Sequence, residues 1–364
     1  MSKVRLAVVG AGHLGRFHAR LAATLEHVEL IAVVDPVLDN RCRVAQEAST
    51  QPLADYRELI GKVDAAVVAA PTDKHCQIGT ELLAGGVHVL VEKPIASTLD
   101  EARQLVATAQ QHQRILQVGH IERFNPAINA VAPIIGDVKY VESVRASGYT
   151  FRSTDIGAVL DIMIHDLDLL LTLVKSPLVD VQAVGMSLFG GHEDMAQARL
   201  RFANGCVANL TASRSSFEPR RRMQIYSTTA FADIDFGVPS ASVIRPDQRI
   251  LDGSLDLNQL SQKEQEQLRD RLFDDLLPRQ ALELEPTNAL LDELVDFVTC
   301  VDTGDTPRVT GAAGLDALAV ATKILDSISA HDWNPAEVAA GTDANQRPIL
   351  RGPHWNQRVQ RKAG

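Results

Sequence analysis

The chain has few cysteines, no long apolar run and no excess of positive charge. Its four cysteines are scattered over 364 residues, at Cys42, Cys76, Cys206 and Cys300. They form no C-x-x-C pair, which argues against a zinc ribbon and against a disulfide framework. No apolar run is long enough to span a bilayer, and the first strand pattern begins without a signal peptide before it. These features predict a cytoplasmic protein with reduced thiols and no membrane insertion.

The charge and the length narrow the class of protein further. The net charge is −10, which argues against nucleic acid as a partner. A hydrophobic content of 45% with 23% charged residues is typical of a globular protein. A chain of 364 residues is too long for one ordinary domain and suits two.

A glycine-rich turn follows the first apolar run. Gly10, Gly12 and Gly15 have the G-x-G-x-x-G spacing, directly after the predicted strand Val4–Val9. The first glycine permits a tight turn, the second lets a pyrophosphate approach the backbone, and the third lets the helix pack on the strand. The helix N-terminus then offers free N–H groups to the phosphates, beside His13 and Leu14 in the same turn.

An acid closes the second apolar run. Asp35 lies twenty residues beyond Gly15, where a carboxylate binds the adenosine ribose hydroxyls of a dinucleotide. The same carboxylate would repel a 2′-phosphate, so the sequence predicts NAD as cofactor and makes NADP the less favoured one. The nearby Arg41 and Arg43 could weaken that preference.

Strand and helix patterns alternate in the first third of the chain. The predicted strands are short and apolar on both faces, at Val4–Val9, Val28–Val34, Ala65–Ala70, Val87–Val91 and Ile115–Val118. The predicted helices between them include Leu14–Leu25, Val37–Ala48 and Leu99–His112. This alternation predicts a doubly wound parallel sheet, and we assign residues 1–122 to an NAD-binding Rossmann domain.

Longer alternating runs follow, which predict a large, open and mainly antiparallel sheet. They are Lys139–Tyr149, Val179–Leu188, Ala196–Phe202, Cys206–Ser213, Met223–Tyr226 and Ala230–Phe236. Predicted helices at Asp161–Val174, Asn288–Asp302 and Gly314–Ala330 cover one face of it. We therefore expect an α+β substrate and oligomerisation domain over 123–330, with a polar surface excursion at 246–286, and a C-terminal arm over 331–364.

Two segments carry residues suited to proton and hydride chemistry. Lys93, in Glu92-Lys93-Pro94, follows a buried strand at the carboxyl edge of the predicted parallel sheet, where it can stabilise a developing alkoxide. The alternative is an ordinary surface turn, and a cis bond before Pro94 is compatible with either. Asp161 and His165 share one face of a predicted helix, and an imidazole near its ordinary pKa of about 6.5 suits a general base.

Two other interpretations apply to the second segment. His165 could be a core histidine satisfied by its neighbours. A metal site with Asp166 and Asp168 is the weaker alternative, because those acids do not share the histidine's face, and we predict no metal.

Taken together, these motifs resemble the glucose–fructose oxidoreductase, inositol dehydrogenase and MocA family over roughly residues 3–330. The resemblance implies NAD(P)-linked oxidation of a sugar, cyclitol or related alcohol. It implies that Lys93 is catalytic, His165 is the general base and Asp161 is their helper. It also implies that Pro71, Thr72, His75 and Glu92 contact the nicotinamide side of the cofactor.

A finer resemblance points to a substrate. The segments 118–126 and 149–157 resemble the branch that oxidises the 3-hydroxyl of UDP-N-acetylglucosamine, whose products enter lipid A synthesis. This implies substrate contacts from His120, Arg123 and Arg152, together with Asp161 and His165. Arginines suit a nucleotide-sugar pyrophosphate, and Arg214 and the cluster 220–222 are further candidates, although a solvated strand edge is the favoured interpretation of that cluster.

The sequence thus predicts an enzyme that oxidises a UDP-N-acetyl-hexosamine to a 3-keto sugar, with Lys93 and His165 converging at the nicotinamide. An inositol or free-sugar dehydrogenase is the alternative within the family. A non-catalytic NAD(H)-sensing regulator is the alternative of another class, and a sensor would need neither residue. By analogy we expect a homodimer or homotetramer formed through the second sheet.

Overall fold

The computed structural model describes residues 3–150, 156–188 and 191–331. The chain divides into two compact units. Among the described residues, those up to Phe124 form the first together with Thr287–Thr322, and Asn125–Pro286 form the second together with Lys323–His331. Each unit is built around one sheet of its own. The predicted arm beyond His331 and the predicted substrate residue Arg152 lie outside the described residues.

The first unit contains a fully parallel six-stranded sheet. Its strands are β1 (Val4–Val9), β2 (Val28–Val34), β3 (Gln51–Leu53), β4 (Ala65–Val68), β5 (His88–Glu92) and β6 (Leu116–Gly119). They lie in the order β3-β2-β1-β4-β5-β6. The order reverses between β1 and β4, and in doubly wound sheets ligands bind outside the carboxyl ends of the strands at this reversal.

Helices cover both faces of that sheet. They are α1 (His13–Ala22), α2 (Leu38–Glu47), α3 (Thr72–Ala84) and α4 (Leu99–Gln111). Helix α4 begins with a capping box, in which Thr98 accepts the N–H of Glu101 while the Glu101 side chain accepts the N–H of Thr98. The fold class predicted from the alternating patterns is confirmed.

The second unit contains an eight-stranded sheet. Its strands are β7 (Val138–Ala146), β8 (Leu178–Met186), β9 (Met195–Phe202), β10 (Val207–Ser213), β11 (Arg220–Ser227), β12 (Phe231–Asp235), β13 (Ser240–Ile244) and β14 (Arg279–Ala281). The order is β14-β13-β12-β11-β7-β10-β9-β8, with every neighbouring pair antiparallel except β7 and β10. Along β10, buried and half-buried residues alternate, so one face is covered and the other is open.

Short helices accompany this sheet. They are α5 (Pro126–Val131), α6 (Ile164–Val174), α7 (Gln248–Leu251) and α8 (Gln262–Asp270). One turn of π-helix, Val159–Met163, leads directly into α6. The predicted polar excursion at 246–286 contains α7, α8 and β14, and β14 joins the sheet through three residue pairs with β13.

The chain then returns to the first unit with α9 (Ala289–Thr303) and the start of α10 (Gly311–Ala330). Leu294, Phe297 and Val298 of α9 join the apolar core built from β1, β2, β4 and α1. The predicted division placed all of 123–330 in one domain, whereas residues 287–322 belong to the first unit because this apolar face is buried there. No helix among the described residues combines the length and apolar character that crossing a membrane requires.

Candidate dinucleotide and catalytic residues

The glycine-rich turn has the backbone geometry that its spacing predicts. Gly10 has φ of +100°, and a Cβ there would lie 2.5 Å from the carbonyl oxygen of Ala69. A Cβ on Gly15 would lie 1.8 Å from the carbonyl oxygen of Gly10. Around Gly12, in contrast, a Cβ would meet no described atom within 4 Å. The turn is therefore closed on the protein side and open at Gly12.

The N-terminus of α1 has no side chain that accepts its backbone N–H groups, so these can bind an anion. Gly12 is its N-cap, no side chain caps it, and no acid lies in its first turn. His13 packs its ring edge-on to Phe17, with ring centroids 5.0 Å apart, and Leu14 is 39% exposed. An uncapped helix start beside an open glycine fits a pyrophosphate.

Asp35 stands at the end of β2 and is bound to this turn. One carboxylate oxygen accepts the N–H of Ala11 and the other accepts the N–H of Val37, both at 2.8 Å. The Arg41 guanidinium is occupied by the carbonyl oxygens of Asp35 and Pro36, at 3.2 and 2.9 Å. The carboxylate retains lone pairs for ribose hydroxyls, so these residues fit a dinucleotide.

Lys93 follows β5, at the carboxyl edge of the parallel sheet. The peptide bond between Lys93 and Pro94 is cis. The neighbouring Glu92 is only 6% exposed, and its carboxylate lies 2.7 Å from Nε2 of His18 on α1. The other carboxylate oxygen accepts the backbone N–H of Lys93 at 3.3 Å.

His75 supports the same loop from α3. Its two ring nitrogens lie 2.9 Å from the carbonyl oxygen of Pro94 and 2.8 Å from that of Ala70. Burial lowers the pKa of His75, and the two carbonyl contacts oppose that shift. Pro71 and Thr72 form the start of α3, which has no side-chain cap either. Contact of these residues with the cofactor stays a prediction.

Two predicted substrate residues follow β6. His120 is 1% exposed, and its backbone N–H bonds to the carbonyl oxygen of Val118. Arg123 is half-buried, and its carbonyl oxygen accepts a bond from the guanidinium of Arg308 at 3.0 Å. Their role in binding substrate stays a prediction.

In the second unit, Asp161 lies in the π-helical turn and His165 lies in the first turn of α6. Both side chains are half-buried. Single π-helical turns occur frequently at functional sites, because they shift the side chains that follow. This places an acid and an imidazole on consecutive turns of one continuous helical segment.

Glu193 fixes the start of that segment. Its carboxylate accepts the N–H of Val159 at 2.9 Å, and its carbonyl oxygen accepts the N–H of Ala158 at 2.8 Å. A Cβ on Gly157 would lie 2.1 Å from this carboxylate, so a larger residue there would displace the carboxylate. Burial raises the pKa of Glu193, against the bond from Val159.

The buried ion pair of Arg214 and Asp194 holds Ile156, the residue before Gly157, in place. Arg214 donates to Asp194 at 2.7 Å and to the carbonyl oxygen of Ile156 at 2.8 Å. Both side chains are at least 93% buried, at 7% and 1% exposure. The guanidinium of Arg214, one of the predicted pyrophosphate contacts, is thus committed to holding the segment that carries Asp161.

The arginine cluster 220–222 lies on β11, between β7 and β12, so it is on an inner strand rather than on an edge. Arg222 pairs with Asp233 and Arg220 with Glu218. The arginine side chains of both pairs are exposed, which accords with a solvated face more than with a dedicated phosphate site.

Acids near His165 have their own partners. Asp166, a ligand in the alternative metal interpretation, is bound by Arg145 at 2.8 Å in a pair that is 7% and 1% exposed. Within the described residues, the side chains of ligand type that lie together are instead His18, Glu92 and Glu293.

Sequence reasoning missed several of these residues. His18 lies at helical spacing with Gly15, Ala19 and Ala22 on the buried face of α1. Glu293 similarly belongs to the buried face of α9. A charged or ionisable residue on an otherwise apolar helix face was the available signal, because such a group is buried only with a partner.

A parallel sheet of this order, with an open glycine turn and an acid after β2, is typical of a dinucleotide-binding domain. The model of an oxidoreductase family with an NAD-binding Rossmann fold matches residues 4–120, and that of the GFO/IDH/MocA C-terminal domain matches residues 134–232. The chain therefore belongs to the Gfo/Idh/MocA family. It is an NAD(P)-dependent oxidoreductase that acts on CH–OH groups, and the predicted family is confirmed.

Individual relatives cover nearly the whole chain. UDP-N-acetylglucosamine 3-dehydrogenase of Acidithiobacillus ferrooxidans is 33% identical over 331 residues, which cover 91% of this chain and 99% of the relative. Its solved structure matches with a TM-score of 0.79 at 32% identity, over 90% of this chain and 98% of that one. Inositol 2-dehydrogenase of Rhizobium meliloti is 25% identical, over 90% and 97% of the two chains.

Proposed function

We propose that the protein oxidises the 3-hydroxyl of a UDP-N-acetyl-hexosamine to a 3-keto sugar, with NAD as hydride acceptor. The observation that carries this proposal is the similarity to UDP-N-acetylglucosamine 3-dehydrogenase, which extends through both units at 33% identity. A product of that kind would enter amino-sugar lipid A synthesis.

The roles of three residues complete the proposal. A bound nicotinamide cofactor would supply the acceptor for the hydride that leaves the sugar carbon. His165 takes the hydroxyl proton, Asp161 orients His165 or the substrate, and Lys93 stabilises the alkoxide that forms as hydride leaves. The position of Lys93 directly after β5, at the carboxyl edge of the parallel sheet, supports this role.

NAD is the proposed cofactor because of Asp35. Its carboxylate is held by two backbone N–H groups beside the glycine turn, and a 2′-phosphate would meet that negative charge. Arg41 is occupied by backbone carbonyl oxygens and would have to leave them to neutralise such a phosphate. We expect kcat/KM with NAD to exceed kcat/KM with NADP.

The test measures NADH absorbance with the wild-type protein, NAD and a panel of UDP-sugars, inositols and free sugars. UDP-N-acetylglucosamine is expected to give the highest kcat/KM and to raise the melting temperature in the presence of NAD. Turnover of inositols with none of UDP-sugars would overturn the substrate proposal and favour the second candidate, an inositol dehydrogenase, which the similarity to inositol 2-dehydrogenase supports.

Lys93→Met tests the mechanism. It removes the ammonium, so turnover should fall by at least about 10²-fold while NADH still binds. Lys62→Met, at an exposed lysine of the same unit, is the matched control and should keep wild-type turnover. Unchanged turnover in Lys93→Met would remove this lysine from the mechanism. A cytoplasmic location and a homo-oligomer formed through the second sheet stay predictions.

A further inference from the structure

Three buried ionisable side chains meet in the first unit, each on a different element. They are His18 on α1, Glu92 at the end of β5 and Glu293 on α9, and their nitrogen and oxygen atoms lie within 4.8 Å of one another. Their exposures are 0%, 6% and 0%. Burying such groups together is costly unless they bind each other, so the cluster needs an explanation.

The bonding within the cluster is specific. Glu92 contacts Nε2 of His18 at 2.7 Å with one carboxylate oxygen and accepts the backbone N–H of Lys93 at 3.3 Å with the other. A Cβ on Gly119, the residue paired with Glu92 across the sheet, would lie 2.9 Å from this carboxylate. Glycine therefore leaves the space that the carboxylate occupies.

The distances favour a hydrogen bond over a bound metal ion. A tetrahedral ion with ligands at about 2.0–2.2 Å would hold the imidazole nitrogen and the carboxylate oxygen about 3.3 Å apart. They lie 2.7 Å apart, which is the distance of a charge-assisted hydrogen bond. The ring N–H of His18 thus donates to a carboxylate.

We propose that His18 is a positioning residue, which acts through Glu92 to fix the backbone of Lys93 relative to the glycine-rich turn. His18 lies three residues after Gly15, on the helix whose N-terminus forms that turn. Its bond to Glu92 connects α1 to the end of β5. The inference rests on the proposed function, because it deepens the role given there to Lys93.

The charges around Glu92 agree with this arrangement. Burial raises the pKa of Glu92, but the hydrogen bond and charge of His18, together with the charges of Lys93 and His75, lower it further than burial raises it. Glu293 is the other acid that faces it. Glu92 is consequently ionised at neutral pH and able to accept both bonds.

The first experiment needs no cofactor. The pH titration of the Glu92 carboxyl is followed by ¹³C NMR of glutamate-labelled protein, with the resonance assigned by its loss in Glu92→Gln. His18→Leu removes the donor and should raise the midpoint by about 1–2 pH units. His18→Gln keeps an N–H at the same reach and should raise it by less than half as much. A midpoint unchanged in His18→Leu would overturn the coupling.

The second experiment measures kinetics on the same variants. A displaced Lys93 should lower kcat by about 10²-fold in His18→Leu, with KM for the sugar within a few-fold of wild type. His18→Gln should recover most of that loss. His27→Leu, at an exposed histidine of the same unit, is the matched control. An equal fall in kcat in His18→Leu, His18→Gln and His27→Leu would overturn the positioning role. An unchanged kcat in His18→Leu would overturn it as well.

Two further arms keep the test decisive. If His18→Leu does not fold, the double variant His18→Gln/Glu92→Gln replaces it in the test. Its kcat should be no lower than that of Glu92→Gln alone, because His18 is proposed to act only through Glu92. Additive losses would overturn the proposal. A wild type without turnover on any alcohol would overturn the proposed function instead, and the carboxyl titration would still decide whether His18 and Glu92 are coupled.

Discussion

Removing the Glu193 carboxylate should loosen the helical segment that carries Asp161 and His165. The carboxylate accepts the N–H of Val159, the first residue of the π-helical turn, at 2.9 Å in a buried position. Glu193→Ala leaves that N–H without an acceptor, which costs about 1–3 kcal/mol. Glu193→Gln keeps a carbonyl oxygen in the same place and should retain most of the bond.

The assay is amide hydrogen exchange, read by mass spectrometry on peptides from 156–165. At pH 7, protection there should fall in Glu193→Ala by about 10–100-fold, the factor that corresponds to about 1.4–2.8 kcal/mol, and by much less in Glu193→Gln. Peptides from the first unit serve as internal controls. Wild-type protection in Glu193→Ala would refute the reasoning, because it would mean that the hydrogen bond contributes nothing.

The pH dependence gives a second check with a definite sign. Because burial raises the pKa of Glu193, the native state binds this proton more tightly than the unfolded state. The contribution of Glu193 to the unfolding free energy is therefore greatest below the unfolded pKa of 4.5 and falls as pH rises toward the native pKa. Glu193→Gln lacks this loss, so its stability relative to wild type should increase above about pH 4.5. A difference in unfolding free energy between Glu193→Gln and wild type that does not change with pH would contradict the raised pKa of Glu193.

Two more predictions concern close contacts. Gly15→Ala places a methyl group 1.8 Å from the carbonyl oxygen of Gly10, so it should weaken NADH binding by at least about 10-fold in a fluorescence titration, and binding at wild-type affinity would contradict the geometry. Arg145→Met leaves Asp166 buried without its cation and should lower the unfolding free energy, measured in urea, by about 3–5 kcal/mol. The double variant Arg145→Met/Asp166→Leu should lose less unfolding free energy, because no buried charge is left unpaired. A double variant less stable than Arg145→Met would contradict this prediction.

The sequence predicted the buried strands of the fold better than the exposed ones. Strands β1 and β2 begin and end at the predicted residues, because both are apolar runs inside a covered sheet. Strands β3, β13 and β14 were not predicted. Strands β3 and β14 have three residues each and lie at the edges of their sheets, β3 contains Pro52 and β14 is exposed, so neither carries a hydrophobic pattern. Strand β13 is short and reads Ser-Ala-Ser-Val-Ile, so its buried middle gives too few apolar residues for a strand pattern.

The same physics explains the site. The glycine turn and Asp35 are a local pattern, and their geometry follows from spacing alone. The bond from His18 to Glu92 joins residues 74 apart in the chain, and that from Val159 to Glu193 joins residues 34 apart. Such partners become neighbours only through the path of the chain, so the sequence shows a charged residue on an apolar face without showing what it binds.

The late return of α9 affects how the protein is made. Phe297 and Leu294 are fully buried in the core of the first unit, yet a ribosome synthesises α9 about 170 residues after that unit's last strand. At about 5–20 residues per second, the nascent N-terminal sheet waits about 10–30 s for the helix that completes it. During translation it therefore exposes an apolar surface that a ribosome-associated chaperone can bind.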